Sequence, residues 1–240
     1  MTHMTTQRHP SPVAVVTGAS RGLGAALTAE LVRRGWHVVV DARDASRLAA
    51  SVSGLPGSAV TALPGDVVDA EHRRAVARAV EELGGLDLLV SNAGILGPSP
   101  LPPLSEHPLP ALLEVFEVNA LAPIALTQLV LPLLRARRGR VLNVSSDAAV
   151  EAYEGWGGYG AAKAALDHAS AVLAVEELDL RVLAFDPGDM GTELHARAVP
   201  EQDLSALPTA ASVVPQLLRL LDEDLPSGPY RNDELVMATA

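Results

Sequence analysis

At 240 residues, with 48% hydrophobic and 20% charged side chains, the chain is long enough to bury a large core within a single α/β domain. A formal net charge of −11 argues against nucleic acid or an anionic membrane surface as a partner. With no cysteine there is no disulfide and no thiolate zinc site, which points to a reducing, cytoplasmic compartment.

Residues 1–10 lack the apolar run of a signal peptide and read as a disordered N-terminal segment. Val13 to Thr17 is a β-branched apolar run that enters a glycine cluster, Gly18-Ala19-Ser20-Arg21-Gly22-Leu23-Gly24. Leu23, Leu27 and Leu31 follow at helical spacing towards Gly35, and His37 to Asp41 returns to a buried-strand pattern. Ala59 to Leu63 predicts a third strand, ending in Gly65-Asp66-Val67. A helix from about Asp69 puts Ala75, Val76, Ala79, Val80 and Leu83 on one stripe and stops at Gly84-Gly85. Leu86 to Ser91 is a fourth strand leading into Asn92-Ala93-Gly94. A proline-rich loop from Pro98 to Pro110 precedes a long apolar helix, roughly Ala111 to Arg135, whose Pro123 and Pro132 predict a kink or shifted ends. Apolar as it is, no stretch reaches membrane-spanning length without a charge or proline.

Arg140 to Ser145 is a fifth strand, followed by a glycine-rich loop and a helix. Leu180 to Phe185 is a sixth strand running into Asp186-Pro187-Gly188. The stretch from about 189 to 208 mixes charges, prolines and a histidine without a clear period. A helix from Thr209 to about Leu221 and a short last strand, Glu234 to Met237, complete the pattern. Alternating strands and helices predict a doubly wound, mostly parallel sheet of Rossmann type with helices on both faces, in one domain over 11–240.

In such a sheet a ligand sits at the carboxyl ends of the strands. Gly18, Gly22 and Gly24 stand between the first strand and first helix, where backbone can approach a pyrophosphate and the helix N-terminus offers unpaired N–H groups. Their spacing, G-x-x-x-G-x-G, also fits a plain tight turn. After the second strand, an acid would take ribose hydroxyls and an arginine a 2′-phosphate. The sequence there is Asp41-Ala42-Arg43, and Arg21 reaches towards the same spot, so two arginines favour NADP(H) over NAD(H). If Asp41 points at the ribose instead, that preference reverses.

Lys163 is the only lysine in a chain of 18 basic residues, and it follows Tyr159 by one helical turn. A compact ammonium on the same helix face stabilises a phenolate, which arginine's planar fork cannot do in the same space. Taken together, Thr17-Gly18 to Gly24, Asp66-Val67, Asn92-Ala93-Gly94, Asn119, Ser146, Tyr159 to Lys163, and Pro187-Gly188 with Thr192 resemble the short-chain dehydrogenase/reductase family, in its short single-domain branch.

That resemblance implies a catalytic set of Asn119, Ser146, Tyr159 and Lys163. Tyr159 would exchange the proton with the substrate oxygen, Ser146 rather than Ser145 would hold that oxygen, and Asn119 would bind a relay water. It also implies cofactor contacts from Ser20, Arg21, Leu23 and the three loop glycines, from Arg43, Asp66 and Val67, and from Asn92 to Gly94. Tyr159, Lys163, Pro187, Gly188 and Thr192 complete the cofactor set. The same resemblance places a substrate lid at about 189–208, and Ile95, Tyr153, Trp156 and His195 are the candidate substrate contacts. The histidines show no ligand spacing and read as surface residues, so no metal is expected.

The implied reaction is NADPH-dependent reduction of a small-molecule ketone to a secondary alcohol, by a homodimer or homotetramer. Oxidation of a secondary alcohol on the same fold, or a non-catalytic NADP-binding sensor, are the alternatives. Both Tyr159 and Lys163 being present speaks against the sensor.

Overall fold

The computed structural model describes residues 11–237, so the segment 1–10 lies outside the described residues. Seven strands form: β1 (Val13–Val16), β2 (His37–Ala42), β3 (Val60–Pro64), β4 (Leu88–Ser91), β5 (Arg140–Val144), β6 (Arg181–Asp186) and β7 (Gly228–Arg231). They make one sheet in the order β3-β2-β1-β4-β5-β6-β7, with every neighbouring pair parallel. Chain order reverses between β1 and β4, and a crevice opens there at the carboxyl ends.

Alternation along the strands decides which side chains face which layer. Ala14 and Val16, Val38 and Val40, Leu88 and Val90, and Leu183 and Phe185 face one layer. There they meet Leu23, Leu27 and Leu31 of α1 (Gly22–Arg33), together with Val213, Leu217 and Leu220 of α8 (Ala210–Asp222). Val13, Val15, Val39, Leu89, Val141 and Val182 face the other layer. That side is covered by Val76 and Val80 of α3 (Ala70–Glu82), and by Leu126, Val130 and Leu134 of α5 (Ala122–Arg137). Each fully buried Leu or Val contributes about 1.5–3 kcal/mol, so a core of this size holds without large aromatic side chains.

Several elements depart from the sequence reading, among them a short helix, Glu193–Ala198, within the stretch that shows no period. Helix α2 (Ala45–Val52) was not anticipated; the Asp44 carboxylate caps it, accepting from the N–H groups of Ser46 and Arg47 at 3.0 Å each. It is short and fully buries only Leu48, with Val52 packed against the core beside it. The long apolar helix starts earlier than expected, with α4 (Leu109–Phe116), a π-turn (Glu117–Leu121) and α5 in continuous succession. Pro123 has no N–H to offer the carbonyl of Asn119, and the π-turn absorbs that mismatch without breaking the helix.

The last strand is Gly228–Arg231, and the expected strand at Glu234 to Met237 is helix α9 (Asn232–Met237). Asp233 accepts from the Glu234 N–H at 3.0 Å, and two acids in the first turn suit a helix start. Pro229 is tolerated because β7 is an edge strand. Finally, His72, His107 and His195 are buried rather than on the surface. The His72 ring fills the space above Gly65, where a Cβ would lie 2.1 Å from its Nδ1.

Candidate active site

The cleft at the switch point has a volume of about 610 Å³ and runs from the end of β2 to α6 (Gly157–Glu176). Its first wall is the glycine loop. Gly18, at φ +67°, donates its N–H to Asp41 Oδ1 at 2.9 Å; a Cβ there would sit 2.8 Å from Ala93 Cα. A Cβ on Gly24 would stand 2.5 Å from Asn92 Nδ2, so only glycine lets α1 pack onto the end of β4. At the N-terminus of α1, Arg21 provides no side-chain cap, and the backbone of Gly22 and Leu23 lines the cleft. Uncapped N–H groups at a helix start, facing a glycine-lined cleft, fit a pyrophosphate.

At the β2 end Asp41 lines the cleft, with both carboxyl oxygens engaged by protein. It is buried beneath the loop, with its second oxygen 3.3 Å from His72 Nε2. Arg21 and Arg43 line the cleft as expected, and Arg47 joins them from the unanticipated α2. Arg21 and Arg47 both pair with Glu193, the latter at 3.2 Å. The sequence signal for Arg47 was Asp44 followed by a single apolar turn.

Asn92 and Ala93 are held by Thr17, whose Oγ1 accepts from both backbone N–H groups at 3.0 Å. The Asn92 amide returns a bond to Thr17 O at 2.9 Å. Asp66 and Val67 line the cleft, and Asp66 Oδ1 also accepts from the Val68 N–H at 3.1 Å as a turn residue. Gly94, Pro187, Gly188 and Thr192 line it from the opposite side. Thr192 also caps α7 (Glu193–Ala198), its Oγ1 accepting from the His195 N–H at 3.3 Å. Asn119 is fully buried in the π-turn, and its side chain is committed to one peptide: Oδ1 accepts from Ile95 N at 2.9 Å and Nδ2 donates to Ile95 O at 2.7 Å.

Tyr159 and Lys163 face the cleft from successive turns of α6, with Lys163 Nζ 5.6 Å from the Tyr159 ring centre. Lys163 Nζ donates to Val144 O at 2.5 Å, at the very end of β5. Ser146, two residues on, donates its hydroxyl to Asp147 Oδ1 at 3.0 Å and accepts from Ala148 N at 3.2 Å. Burial, followed by the carboxylates of Asp186, Asp147 and Asp167, pushes the Tyr159 phenol well above its ordinary value, and a Ser146 hydrogen bond opposes this. Burial pulls the Lys163 ammonium down to about 8, with Asp167 opposing.

Of the expected substrate contacts, Ile95, Trp156 and His195 line this cleft. Trp156 meets Tyr159 edge-on, with ring centres 5.7 Å apart. The His195 ring is held within the lid, Nε2 to Gln202 Oε1 at 2.9 Å and Nδ1 to Asp189 Oδ1 at 3.4 Å. Tyr153 lies outside the cleft lining, half exposed, and donates its hydroxyl to Asp147 at 2.8 Å. Asp147, to which the sequence assigned no role, thereby links Tyr153 to Ser146.

Fold and cleft together define a dinucleotide-binding oxidoreductase of the doubly wound class. The family model described as short chain dehydrogenase matches residues 12–203. An L-fucose dehydrogenase from Bos taurus is 34% identical over 190 residues, covering 78% of this chain and 69% of that protein. A benzil reductase forming (S)-benzoin, from Saccharomyces cerevisiae, is 33% identical over 194 residues, covering 76% of this chain and 73% of that protein. Among solved structures, a short chain dehydrogenase from Escherichia coli CFT073 complexed with NADPH is similar at TM-score 0.85 and 29% identity, over 92% of this chain and 96% of that one. The chain belongs to the short-chain dehydrogenase/reductase family.

Proposed function

We propose that the protein is an NADPH-dependent ketoreductase. The observation that carries this reading is the Tyr159 hydroxyl, buried at the cleft floor beside Ser146 and Lys163 and held protonated by its surroundings. In reduction that hydroxyl hands its proton to a carbonyl oxygen beside Ser146, a step that the burial raising the phenol does not itself assist. When a carbonyl oxygen replaces Asp147 as the acceptor of the Ser146 hydroxyl, that hydroxyl fixes and polarises it. Tyr159 donates its proton to the same oxygen, and the Lys163 ammonium stabilises the phenolate left behind. A bound nicotinamide would supply the hydride. Asn119 contributes indirectly, by fixing the Ile95 peptide at the cleft edge.

Three features support NADPH over NADH. Asp41 lines the cleft, but its two oxygens are occupied by the Gly18 N–H and the His72 ring. Arg21, Arg43 and Arg47 gather in the same cleft. The Glu193 pairs are exposed and worth about 1 kcal/mol or less, so a phosphate dianion would displace them. Titrating the protein with each cofactor while following tryptophan fluorescence tests this. The wild type should bind NADPH more tightly, and Arg47→Ala should weaken NADPH by about tenfold while leaving NADH within about twofold. Equal or tighter NADH binding by the wild type would contradict the assignment.

The substrate end of the cleft carries Asp147, Asp186 and Asp189, with Lys163 and His195 as its basic groups and Trp156 as an aromatic wall. That balance favours an uncharged ketone with an apolar or aromatic flank over a keto acid. The long helix exposes Leu109, Leu113 and Leu121, and α6 exposes Val172 and Val175. These apolar faces support assembly with further copies of the chain as a homodimer or homotetramer.

A further inference from the structure

Lys163 is only 3% exposed, and an ammonium taken out of water needs a counter-charge or a full set of acceptors. Among the described residues, its one hydrogen bond to protein is to the carbonyl of Val144. The next residue, Ser145, is buried and donates its hydroxyl to Asp167 Oδ2 at 2.5 Å. Asp167 lies four residues beyond Lys163 on α6, so its carboxyl shares the lysine's helix face one turn further on. Its other oxygen, Oδ1, is buried without a hydrogen-bond partner. Packing alone gives no reason for such an arrangement. A carboxyl with one oxygen unpaired costs free energy where a neutral side chain would not.

We propose that Asp167 is a positioning residue for Lys163: anchored by Ser145, its half-buried carboxylate one turn along α6 supplies the counter-charge for the Lys163 ammonium at the cleft floor. Asp167 does not line the cleft, so it acts on substrate and cofactor only through the lysine. Burial raises the Asp167 carboxyl above the usual carboxylate range, and the Ser145 hydroxyl bond and the nearby ammonium work in the other direction. The other charged or titratable groups around this point are Tyr159 on the same helix, Asp147 from the turn after β5 and Asp186 from β6. The π-turn contributes the neutral Asn119. Of the carboxylates, Asp167 is the one whose charge acts on Lys163, while Asp186, Asp147 and Asp167 all act on Tyr159. The chain thereby offsets part of the desolvation that draws the lysine down to about 8.

The catalytic consequence of this device rests on the ketoreductase reading, but the lysine itself can be observed directly. Because Lys163 is the only lysine, incorporation of [ε-13C]lysine gives a single side-chain NMR signal in the full-length protein. In the wild type that signal should titrate near 8. Asp167→Asn keeps an oxygen for the Ser145 hydroxyl but removes the charge; the ammonium should become about tenfold more acidic, a displacement of roughly one pH unit. Ser145→Ala keeps the charge and removes the hydrogen bond, and should move the midpoint much less. If Asp167→Asn does not accumulate as folded protein, Asp167→Ser should show the same displacement. A midpoint in the neutral variants that coincides with the wild type overturns the proposal. A displaced midpoint in a protein that reduces no ketone would leave the positioning role standing and remove the ketoreductase reading instead.

Discussion

Tyr159→Phe should reduce ketone turnover by about 10³-fold while leaving the affinity for NADPH within about twofold. The phenyl ring keeps the packing against Trp156 and stays beneath the Lys163 ammonium, so the cleft retains its shape. What disappears is the hydroxyl that the proposed reaction uses to hand a proton to a substrate oxygen fixed by Ser146. Ser146 itself remains, and its hydrogen bond should preserve a residual rate of the order that positioning alone provides. Stopped-flow measurement of the chemical step, alongside a binding titration, separates these contributions. Turnover within tenfold of the wild type would mean that the proton comes from elsewhere.

Lys163→Arg is the second large effect. The substitution keeps a positive charge and follows the chain's own preference, since arginine is its only other strong base. Yet Lys163 Nζ already lies 2.5 Å from Val144 O, and within 4.0 Å of where a Cβ on Gly94 would stand. A guanidinium is wider and planar, and inserting it costs about 1–3 kcal/mol of overpacking. Turnover should fall by about 100-fold or more, and cofactor affinity should fall with it. The variants also differ in pH dependence. In the wild type the ammonium is protonated below about 8, so cofactor affinity and turnover should decline as pH rises through that value. Arginine does not titrate in that range, and its residual activity should be flat there. A fully active Lys163→Arg protein would reduce the lone lysine to a compositional accident.

Much of this architecture was legible in the sequence because it rests on two strong periods. The helix stripe of Leu23, Leu27 and Leu31 and the continuous apolar strands such as Val38-Val39-Val40 are read directly, and all of them are buried. Chemistry confined to short motifs was also legible: Gly18, Gly22, Tyr159 with Lys163, and Ser146 all line one cleft, while Gly24 packs behind the loop against Asn92. Elements stabilised by capping rather than by burial were missed. Helix α2 is short and fully buries one leucine, and α9 is set by acids in its first turn, so neither carries a long apolar stripe. Arg47 was lost along with α2. Asp147 and Glu193 were illegible for another reason, since their partners Ser146, Tyr153, Arg21 and Arg47 are chosen by loop geometry rather than by spacing. The buried His72 and His107 show the same limit: a polar residue in the core is recognised only once its neighbours, Asp41 and Gly65 for His72, are in place.

The central claim is that the Tyr159 cleft passes a hydride from NADPH to a ketone carbon. It is tested most directly by incubating the wild-type protein with NADPH deuterated at C4 and a panel of uncharged aromatic and aliphatic ketones, and weighing the products. At least one ketone should yield an alcohol carrying a single deuterium on the carbinol carbon, and the same reaction with Tyr159→Phe should yield almost none. NADPH binding without deuterium reaching any product would contradict the account and leave a nucleotide-binding protein in place of an enzyme.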